Sequence, residues 1–177
     1  MIFSKTGIEG VILVELERNE DARGSFSRAF CEREFGEFGF PFHVSQANLS
    51  RSLGKGTIRG MHYQQTGVHE CKIVRCVRGA VWDVVVDMRP DSPTRLHHLS
   101  FELSEVNGRA LCIPNGVAHG HQALTEEADL FYLMDGGYRP GHEAGLRWDD
   151  PAIGIRWPLT VNMISPRDLE WPLIETS

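Results

Sequence analysis

The sequence predicts an all-β fold, and three observations support this prediction. Turn-forming residues recur at short intervals of about eight to fifteen residues along the chain. The segments between them are short and rich in valine, isoleucine and leucine, which favour strands. Several of these segments alternate with the two-residue period of a strand. Short strands separated by frequent turns are typical of a β-sandwich or barrel.

The first half of the chain contains four predicted strands. The first, 11–16, reads VILVEL; the second, 56–63, follows the glycine turn at 54–56. The third, 72–77, and the fourth, 80–88, are separated by the Arg78-Gly79 turn. Each is a short segment between turn-forming residues, which is how strands are recognised in sequence.

The second half contains three more predicted strands and little helix. Strand 96–103 follows a turn with two prolines, strand 109–113 precedes Pro114-Asn-Gly, and strand 130–134 precedes Gly136-Gly137. The helices that the pattern allows are short, one near 31–38 and one after Ser165. The core is therefore expected to be β.

Alternation indicates which side chains share a sheet face. In 80–88, one face carries Trp82, Val84, Val86 and Met88, whereas the other combines two valines with Asp83 and Asp87. In 72–77, Lys72 shares a face with Val74 and Cys76. Such a lysine either lies at a sheet rim with its stem buried or points into a cavity.

Length and charge exclude some classes of function. The 177 residues favour a single domain over 1–177 that buries its own core. The net charge of −6 disfavours nucleic acid polymers and anionic membrane surfaces as partners. No run approaches the roughly 18 apolar residues of a membrane helix, and the N-terminus lacks a signal-peptide pattern. We therefore expect a cytoplasmic protein with four free cysteines, Cys31, Cys71, Cys76 and Cys112.

Two possible hairpins bring together residues that can transfer protons. A hairpin centred on Gly67 would place His62 opposite Lys72, and one turning at 125–126 would place His119 opposite Tyr132. Histidine can abstract a proton near neutral pH, lysine can stabilise an enolate oxygen, and tyrosine can return a proton. This set suits proton abstraction next to a carbonyl, although each residue alone is equally compatible with a structural role.

A metal site is a further possibility that the residue types disfavour. His119-Gly-His121 followed by Glu126 or Glu127 resembles a ligand cluster, and alternation sends both histidines to one face. Residues 114–119 (PNGVAH) and 56–64, with the later Gly79, resemble the two motifs of metal-binding cupins, but Gln64 and Lys72 stand where those proteins carry a histidine and a glutamate. An ammonium group cannot ligate a metal, and an amide is a poor ligand for transition metals. We therefore expect no metal.

A series of motifs extends over nearly the whole chain. They comprise DARGSF (21–26), SQAN (45–48), IRGMHYQ (58–64), KIV (72–74), GAVWDVVVDMR (79–89), SPT (92–94), IPNGVAHG (113–120), residues 132–138, Glu143, WDDP (148–151) and SPRD (165–168). In this order and at this spacing, the motifs resemble those of the dTDP-4-dehydrorhamnose 3,5-epimerase family of the cupin superfamily.

The resemblance implies a cupin-type jelly-roll barrel with short peripheral helices, and a set of catalytic residues. His62 matches the base that removes the proton alpha to the C4 ketone of the sugar, and Asp168 matches its carboxylate partner. Lys72 matches the cation at the enolate oxygen, and Tyr132 the acid that reprotonates from the opposite face. The 4-keto group already acidifies C3 and C5, so no redox cofactor or metal is implied.

The resemblance also implies a set of substrate contacts and a homodimer. Arg23, Arg59 and Arg167 match positions that contact the nucleotide-diphosphate sugar, and arginine suits phosphate through its planar fork of donors. Tyr138 matches the ring that stacks on the nucleobase. The remaining matched positions are Phe26, Gln46, Asn48, His119 and Glu143.

Several positions depart from the family pattern. Arg28, which is also expected to contact the substrate, stands where the family usually has a glutamate near the substrate. The 65–70 loop lacks the usual proline pair and places Glu70 two residues before Lys72, and His97-His98 replaces a more typical glycine-aromatic stretch. None of these positions belongs to the catalytic set, so we expect the chemistry to be intact and any difference from the family to lie in the choice of substrate.

The prediction is therefore an isomerase that epimerises a nucleotide-activated 4-keto-6-deoxyhexose, with dTDP as the expected nucleotide, at C3, C5 or both. An enzyme that inverts only C3 of a different nucleotide sugar would carry the same residues. Two alternatives from other classes are a non-catalytic sugar-binding cupin and a metal-dependent cupin oxygenase using His119 and His121.

Overall fold

A computed structural model describes residues 1–65, 67–137 and 139–175. Thirteen strands and two short helices are assigned within these ranges. In chain order they are β1 Ile2–Lys5, β2 Ile12–Glu15, β3 Asn19–Asp21, β4 Gly24–Phe26, α1 Glu32–Glu37, β5 Gln46–Leu53, β6 Ile58–Gln64, β7 Cys71–Arg78, β8 Ala80–Asp87, β9 His98–Ser104, β10 Ala110–Ile113, β11 Val117–Ala123, β12 Glu127–Asp135, β13 Glu143–Gly145 and α2 Pro166–Leu169.

Two antiparallel sheets form the body of the protein. One has six strands in the order β1-β2-β10-β7-β12-β5, and the other has five in the order β13-β6-β11-β8-β9. Strands β3 and β4 form a separate two-stranded hairpin. The all-β, jelly-roll prediction is thus confirmed, and the two predicted helices are present as α1 and α2.

The main core lies between the two sheets. It contains Val74 and Cys76 of β7, Val81 and Val85 of β8, and Leu111 of β10. The opposite face of β8 packs in a different cluster, with Val84 and Val86 against Met61 and Leu146. The alternation predicted for 80–88 is therefore confirmed, and Asp83 and Asp87 point to the inner side, each fully buried.

The helix α1 covers the outer face of the six-stranded sheet. It has six residues, too few to be stable alone in water, and it is held by packing. Phe35 is fully buried, and its ring meets Phe3 edge-on with centroids 4.9 Å apart. Burying such a ring contributes about 2 kcal/mol. In the described part of the chain, no helix has the length and apolar character needed to span a bilayer.

Both predicted hairpins are wrong. Strand β6 lies in the five-stranded sheet, whereas β7 lies in the six-stranded sheet, so His62 pairs with His119 and not with Lys72. In the same way, β11 and β12 belong to different sheets, and the cross-strand partner of Tyr132 on β5 is Asn48. Each connection crosses the sandwich, so the residues face each other across its interior.

The segment after β13 returns to the site along the start of β6. The Ile58 amide donates to the Met163 carbonyl at 2.8 Å, and the Asn162 amide donates to the Gly56 carbonyl at 3.2 Å. The Gln122 side chain bonds both the amide and the carbonyl of Leu159, at 3.0 and 2.9 Å. These bonds place α2 over one end of the sandwich.

Candidate active site

Three cavities meet at His62 between the two sheets. The main cavity has a volume of about 500 Å³. The two neighbouring cavities, of about 200 and 280 Å³, share His62 with it. Predicted site residues that line at least one of the three are Gln46, Asn48, Arg59, His62, Lys72, His119, Tyr132, Glu143, Arg167 and Asp168.

His62 and Asp168 form a close hydrogen-bonded pair. His62 Nε2 lies 2.6 Å from Asp168 Oδ1, and the His62 side chain is 45% exposed whereas Asp168 is buried. The Gly60 amide donates to Asp168 Oδ2 at 3.2 Å. Burial raises the pKa of Asp168, but hydrogen bonds from His62 and from Gly60 outweigh burial, and the net pKa is lowered. Asp168 is therefore an anion that orients the imidazole.

The local backbone explains why these two residues meet. Asp168 lies in the first turn of α2, where its amide donates to the Ser165 side chain at 3.1 Å, an N-cap bond. Gly60 has a φ of +129°, and a Cβ there would lie 2.6 Å from Gly120 Cα. Only glycine lets β6 approach β11 this closely while its amide faces Asp168.

Tyr132 approaches the cavity from the six-stranded sheet. Its ring meets the His119 ring edge-on, with centroids 6.1 Å apart. Burial raises the pKa of Tyr132, and the nearby Asp83 carboxylate raises it further, whereas the Ser50 hydroxyl lowers it. The phenol is therefore a proton donor held neutral at physiological pH.

Lys72 points into the site and is paired. Its Nζ lies 3.0 Å from Glu70 Oε2, and the two side chains are only 13% and 10% exposed. The other Glu70 oxygen accepts a bond from Gln64 Nε2 at 2.9 Å. Of the two positions open to Lys72 from the sequence, a rim and a cavity, the structure supports the cavity.

His119 forms a second histidine–carboxylate pair that the sequence did not predict. Its Nε2 lies 2.8 Å from Asp83 Oδ2, and both residues are buried. Burial raises the pKa of Asp83, and this effect exceeds the opposing, pKa-lowering effect of His119. The signal that could have found this pair was the alternation of β8, which already placed Asp83 on the inner face.

His121 and Arg59 complete the wall of the main cavity, and the buried Ser52, which is not in that wall, bonds to both. His121 Nε2 lies 3.2 Å from Ser52 Oγ, to which Arg59 Nε also donates at 3.2 Å. Burial lowers the pKa of His121 to about 3, with His119 and Arg59 adding to the effect. Neither Ser52 nor its bonds were predicted from the sequence, because the serine lies on β5 in the opposite sheet.

The two histidines considered as metal ligands have other partners, Asp83 and Ser52. Across the described ranges, no three histidine, cysteine, aspartate or glutamate side chains cluster closely enough to hold a metal ion. The four cysteines are free, Cys76 and Cys112 buried and Cys31 and Cys71 half-buried.

Three of the predicted contact residues lie away from this site. Arg23, Phe26 and Arg28 belong to the hairpin of β3 and β4 and the residues just after it, and none lines the three cavities. Arg23 is 90% exposed and pairs with Asp21, and Arg28 pairs with Glu34. Tyr138 lies outside the described residues.

This arrangement can carry out proton transfer at carbon. It combines a base with an orienting carboxylate, a cation for a developing oxyanion and a phenol on the opposite wall. Arg59 and Arg167 add positive charge, and the Arg167 guanidinium lies 5.7 Å from the centre of the Trp171 ring.

Comparison with known proteins identifies the family. A sequence profile described as dTDP-4-dehydrorhamnose 3,5-epimerase matches residues 5–176. The dTDP-4-dehydrorhamnose 3,5-epimerase of Sinorhizobium fredii is 40% identical over 97% of this chain and 89% of its own. The dTDP-4-dehydrorhamnose 3-epimerase of Streptomyces niveus is 42% identical over 92% of this chain and 78% of its own.

A solved structure agrees with these relatives. The dTDP-6-deoxy-D-glucose-3,5-epimerase of Legionella pneumophila, in complex with dTDP-4-keto-L-rhamnose, is 36% identical and superimposes with a TM-score of 0.88. The match covers 94% of this chain and 89% of that one. The chain therefore belongs to the dTDP-4-dehydrorhamnose 3,5-epimerase family of sugar-nucleotide isomerases.

Proposed function

We propose that this protein epimerises a dTDP-4-keto-6-deoxyhexose at C3 and C5. The observation that carries the proposal is the placement of His62 on the five-stranded sheet and Tyr132 on the six-stranded sheet, with one cavity between them that Lys72 also lines. A sugar bound in that cavity has a base on one face and an acid on the other. Inversion at carbon requires this placement, whereas simple binding does not.

His62 is the base in this proposal. Its Nε2 is engaged by Asp168, so Nδ1 is the nitrogen available to take the proton from C3 or C5. The Asp168 carboxylate stabilises the imidazolium that forms. The C–H electron pair moves into the ring carbon and the C4 carbonyl to give an enolate.

Lys72 stabilises the enolate oxygen, and Tyr132 completes the inversion. A positioned cation or hydrogen-bond donor at a developing oxyanion contributes roughly 10²- to 10³-fold in rate. Tyr132 then gives its phenolic proton to the opposite face of the carbon, and the C4 carbonyl reforms. Solvent returns a proton to the phenolate and removes one from His62, so the cycle is balanced without redox chemistry.

The nucleotide part of the substrate is assigned to the cationic end of the site. Arg59 and Arg167 line the main cavity and suit a diphosphate. Gln46, Asn48, His119, Tyr138 and Glu143 are proposed as further substrate contacts on the strength of the family resemblance.

We propose a cytoplasmic homodimer of single-domain subunits. Arg23 and Phe26 match substrate-contacting positions, and Arg28 replaces the glutamate at another. None of the three lines the cavities of its own chain, so they would contact the substrate bound to a partner subunit. Apolar side chains left exposed on the single chain support a partner; Phe26 is 75% and Leu49 is 66% exposed, and Leu49 lies opposite Phe131 on β12.

An enzyme that inverts only C3 is the second candidate. The relative from Streptomyces niveus, 42% identical, is a 3-epimerase. The proposed catalytic residues serve either outcome, because both reactions remove a proton next to the same ketone.

Incubation with dTDP-4-keto-6-deoxyglucose in D₂O, followed by NMR, tests the proposal. We expect deuterium at C3 and C5, whereas deuterium at C3 alone would favour the 3-epimerase. His62→Ala should abolish exchange, because no other group replaces the base. Full exchange by that variant would refute the assignment of the base. If the wild type exchanges no deuterium with this substrate or with its CDP and GDP analogues, the proposed epimerase activity is refuted.

A further inference from the structure

The Arg59 guanidinium is anchored on one side by two neutral oxygens. Its Nε donates to Ser52 Oγ at 3.2 Å, and its Nη2 donates to the carbonyl oxygen of Arg51 at 2.8 Å. No carboxylate among the described residues lies within ion-pair distance of Arg59. Its charge is therefore fixed in place but uncompensated at the cavity wall.

Ser52 links this arginine to His121 across the sandwich. Ser52 is fully buried on β5, whereas Arg59 on β6 and His121 on β11 are cross-strand partners in the other sheet. Ser52 Oγ lies 3.2 Å from His121 Nε2. The three side chains thus form one hydrogen-bonded chain that ends at the guanidinium.

The directions of these bonds follow from the chemistry of the groups. A guanidinium only donates, so Ser52 Oγ accepts from Arg59 Nε. Burial lowers the pKa of His121 to about 3, so its ring is neutral at neutral pH and one nitrogen can accept. When the ring proton of His121 is on Nδ1, Nε2 accepts the single Ser52 proton, and the serine lone pairs remain turned toward Arg59.

We propose that Ser52 and His121 are positioning residues that aim the Arg59 guanidinium at the diphosphate of the substrate. This inference rests on the proposed function and adds two residues to it. With Nε and one Nη2 hydrogen engaged, the remaining N–H groups of Arg59 are available for phosphate oxygens. The arginine side chain is then already ordered in the free protein, so binding of the diphosphate does not lose the conformational entropy of ordering it.

Thymidine diphosphate and thymidine serve as the probes, titrated calorimetrically into wild type and Ser52→Ala. We expect Ser52→Ala to weaken thymidine diphosphate binding about tenfold. Binding of thymidine, which has no phosphate, should change less than about twofold. In turnover, KM should rise while kcat at saturation stays within about threefold, because the lost contact concerns the diphosphate and not the reacting carbons.

Three further variants separate positioning from general damage. Ser104→Ala, at a buried serine that lines none of the three cavities, is the matched control and should bind like wild type. His121→Gln keeps an acceptor for the Ser52 proton and should bind within about threefold of wild type, whereas His121→Leu should resemble Ser52→Ala. Melting temperatures identify any variant that fails to fold.

The double variant Ser52→Ala/Arg59→Ala gives the decisive result. If Ser52 acts through Arg59, the double variant binds thymidine diphosphate no more weakly than Arg59→Ala alone. Additive losses, or equal losses for thymidine and thymidine diphosphate, would overturn the positioning role while leaving the epimerase intact. A wild type that neither binds thymidine diphosphate nor exchanges deuterium would overturn the proposed function and this inference with it.

Discussion

A substitution at Tyr132 can separate removal of the proton from inversion of the carbon. Tyr132→Phe keeps the ring and its edge-on contact with His119 but removes the only proton that this side chain can donate. His62, on the other wall, still takes a proton and can return deuterium to the same face. We expect deuterium exchange with retained configuration, and a rate of inversion lower by about 10²-fold or more.

NMR of the sugar in D₂O reports exchange and configuration in one sample. Ser104→Ala, which removes a hydroxyl from a buried residue outside the three cavities, is the control and should invert at the wild-type rate. Inversion by Tyr132→Phe at the wild-type rate would mean that another group is the acid.

Single residues were found from the sequence when their chemistry was visible in their own segment. His62, Lys72 and Tyr132 are ionisable or hydrogen-bonding groups in otherwise apolar strands, and they line the cavities. Asp168 lies far along the chain from His62, so only the family resemblance predicted their pairing. Ser52 was missed because a serine in a strand carries no signal until its partners on the opposite sheet are known.

At the scale of the element, the Asp87 carboxylate fixes the loop that follows β8. It is fully buried and accepts bonds from Arg89 Nε at 2.8 Å, Ser92 Oγ at 2.6 Å and Thr94 Oγ1 at 2.7 Å. Asp87→Asn keeps the size but removes the charge and leaves Arg89 without its partner. Urea unfolding at pH 7 should show that the substitution lowers the free energy of unfolding by about 3 kcal/mol. The exposed pair of Arg147 and Asp149 offers the control Asp149→Asn, with a loss below about 1 kcal/mol.

The same carboxylate makes stability depend on pH in a defined direction. Burial raises the pKa of Asp87, but the bonds from Arg89, Ser92 and Thr94 outweigh burial and lower it below the ordinary 3.8. A group with a lowered folded-state pKa stabilises the fold above its unfolded pKa, and this contribution is lost as the pH falls through the folded value. The difference in the free energy of unfolding between wild type and Asp87→Asn should therefore be constant near neutral pH and should become smaller below pH 3.8. An unchanged difference at pH 2 would contradict this account.

Strands were predicted where apolar patterns were regular and missed where the site interrupts them. Strand β5 turns Gln46, Asn48, Ser50 and Ser52 inward and leaves Leu49 exposed, the reverse of a core strand. Strand β11 carries two histidines and a glycine at buried positions. The two hairpin predictions were wrong for a related reason. In the sequence, a short turn looks the same whether the chain reverses within one sheet or crosses to the other sheet.

At the scale of the whole molecule, the β3–β4 hairpin raises the question whether each site is built by one chain or by two. Arg23 and Phe26 are highly exposed and line none of the cavities of their own chain. If they contact substrate, as the family resemblance implies, the site they serve is the one in the partner subunit. A two-fold dimer would then contain two sites, each built from both chains.

Mixed dimers of two inactive variants test this arrangement. One subunit carries His62→Ala, and the other carries Arg23→Ala and Phe26→Ala; co-expression with different tags allows the mixed dimer to be isolated. If the hairpin reaches the partner, one site has both defects and the other has none, so the mixed dimer should regain about half of the wild-type activity. If the hairpin serves its own subunit, each site keeps one defect and the mixed dimer stays inactive. Each parent dimer, assayed alone, is the control for residual activity, and a monomer in sedimentation at working concentration would refute the shared site directly.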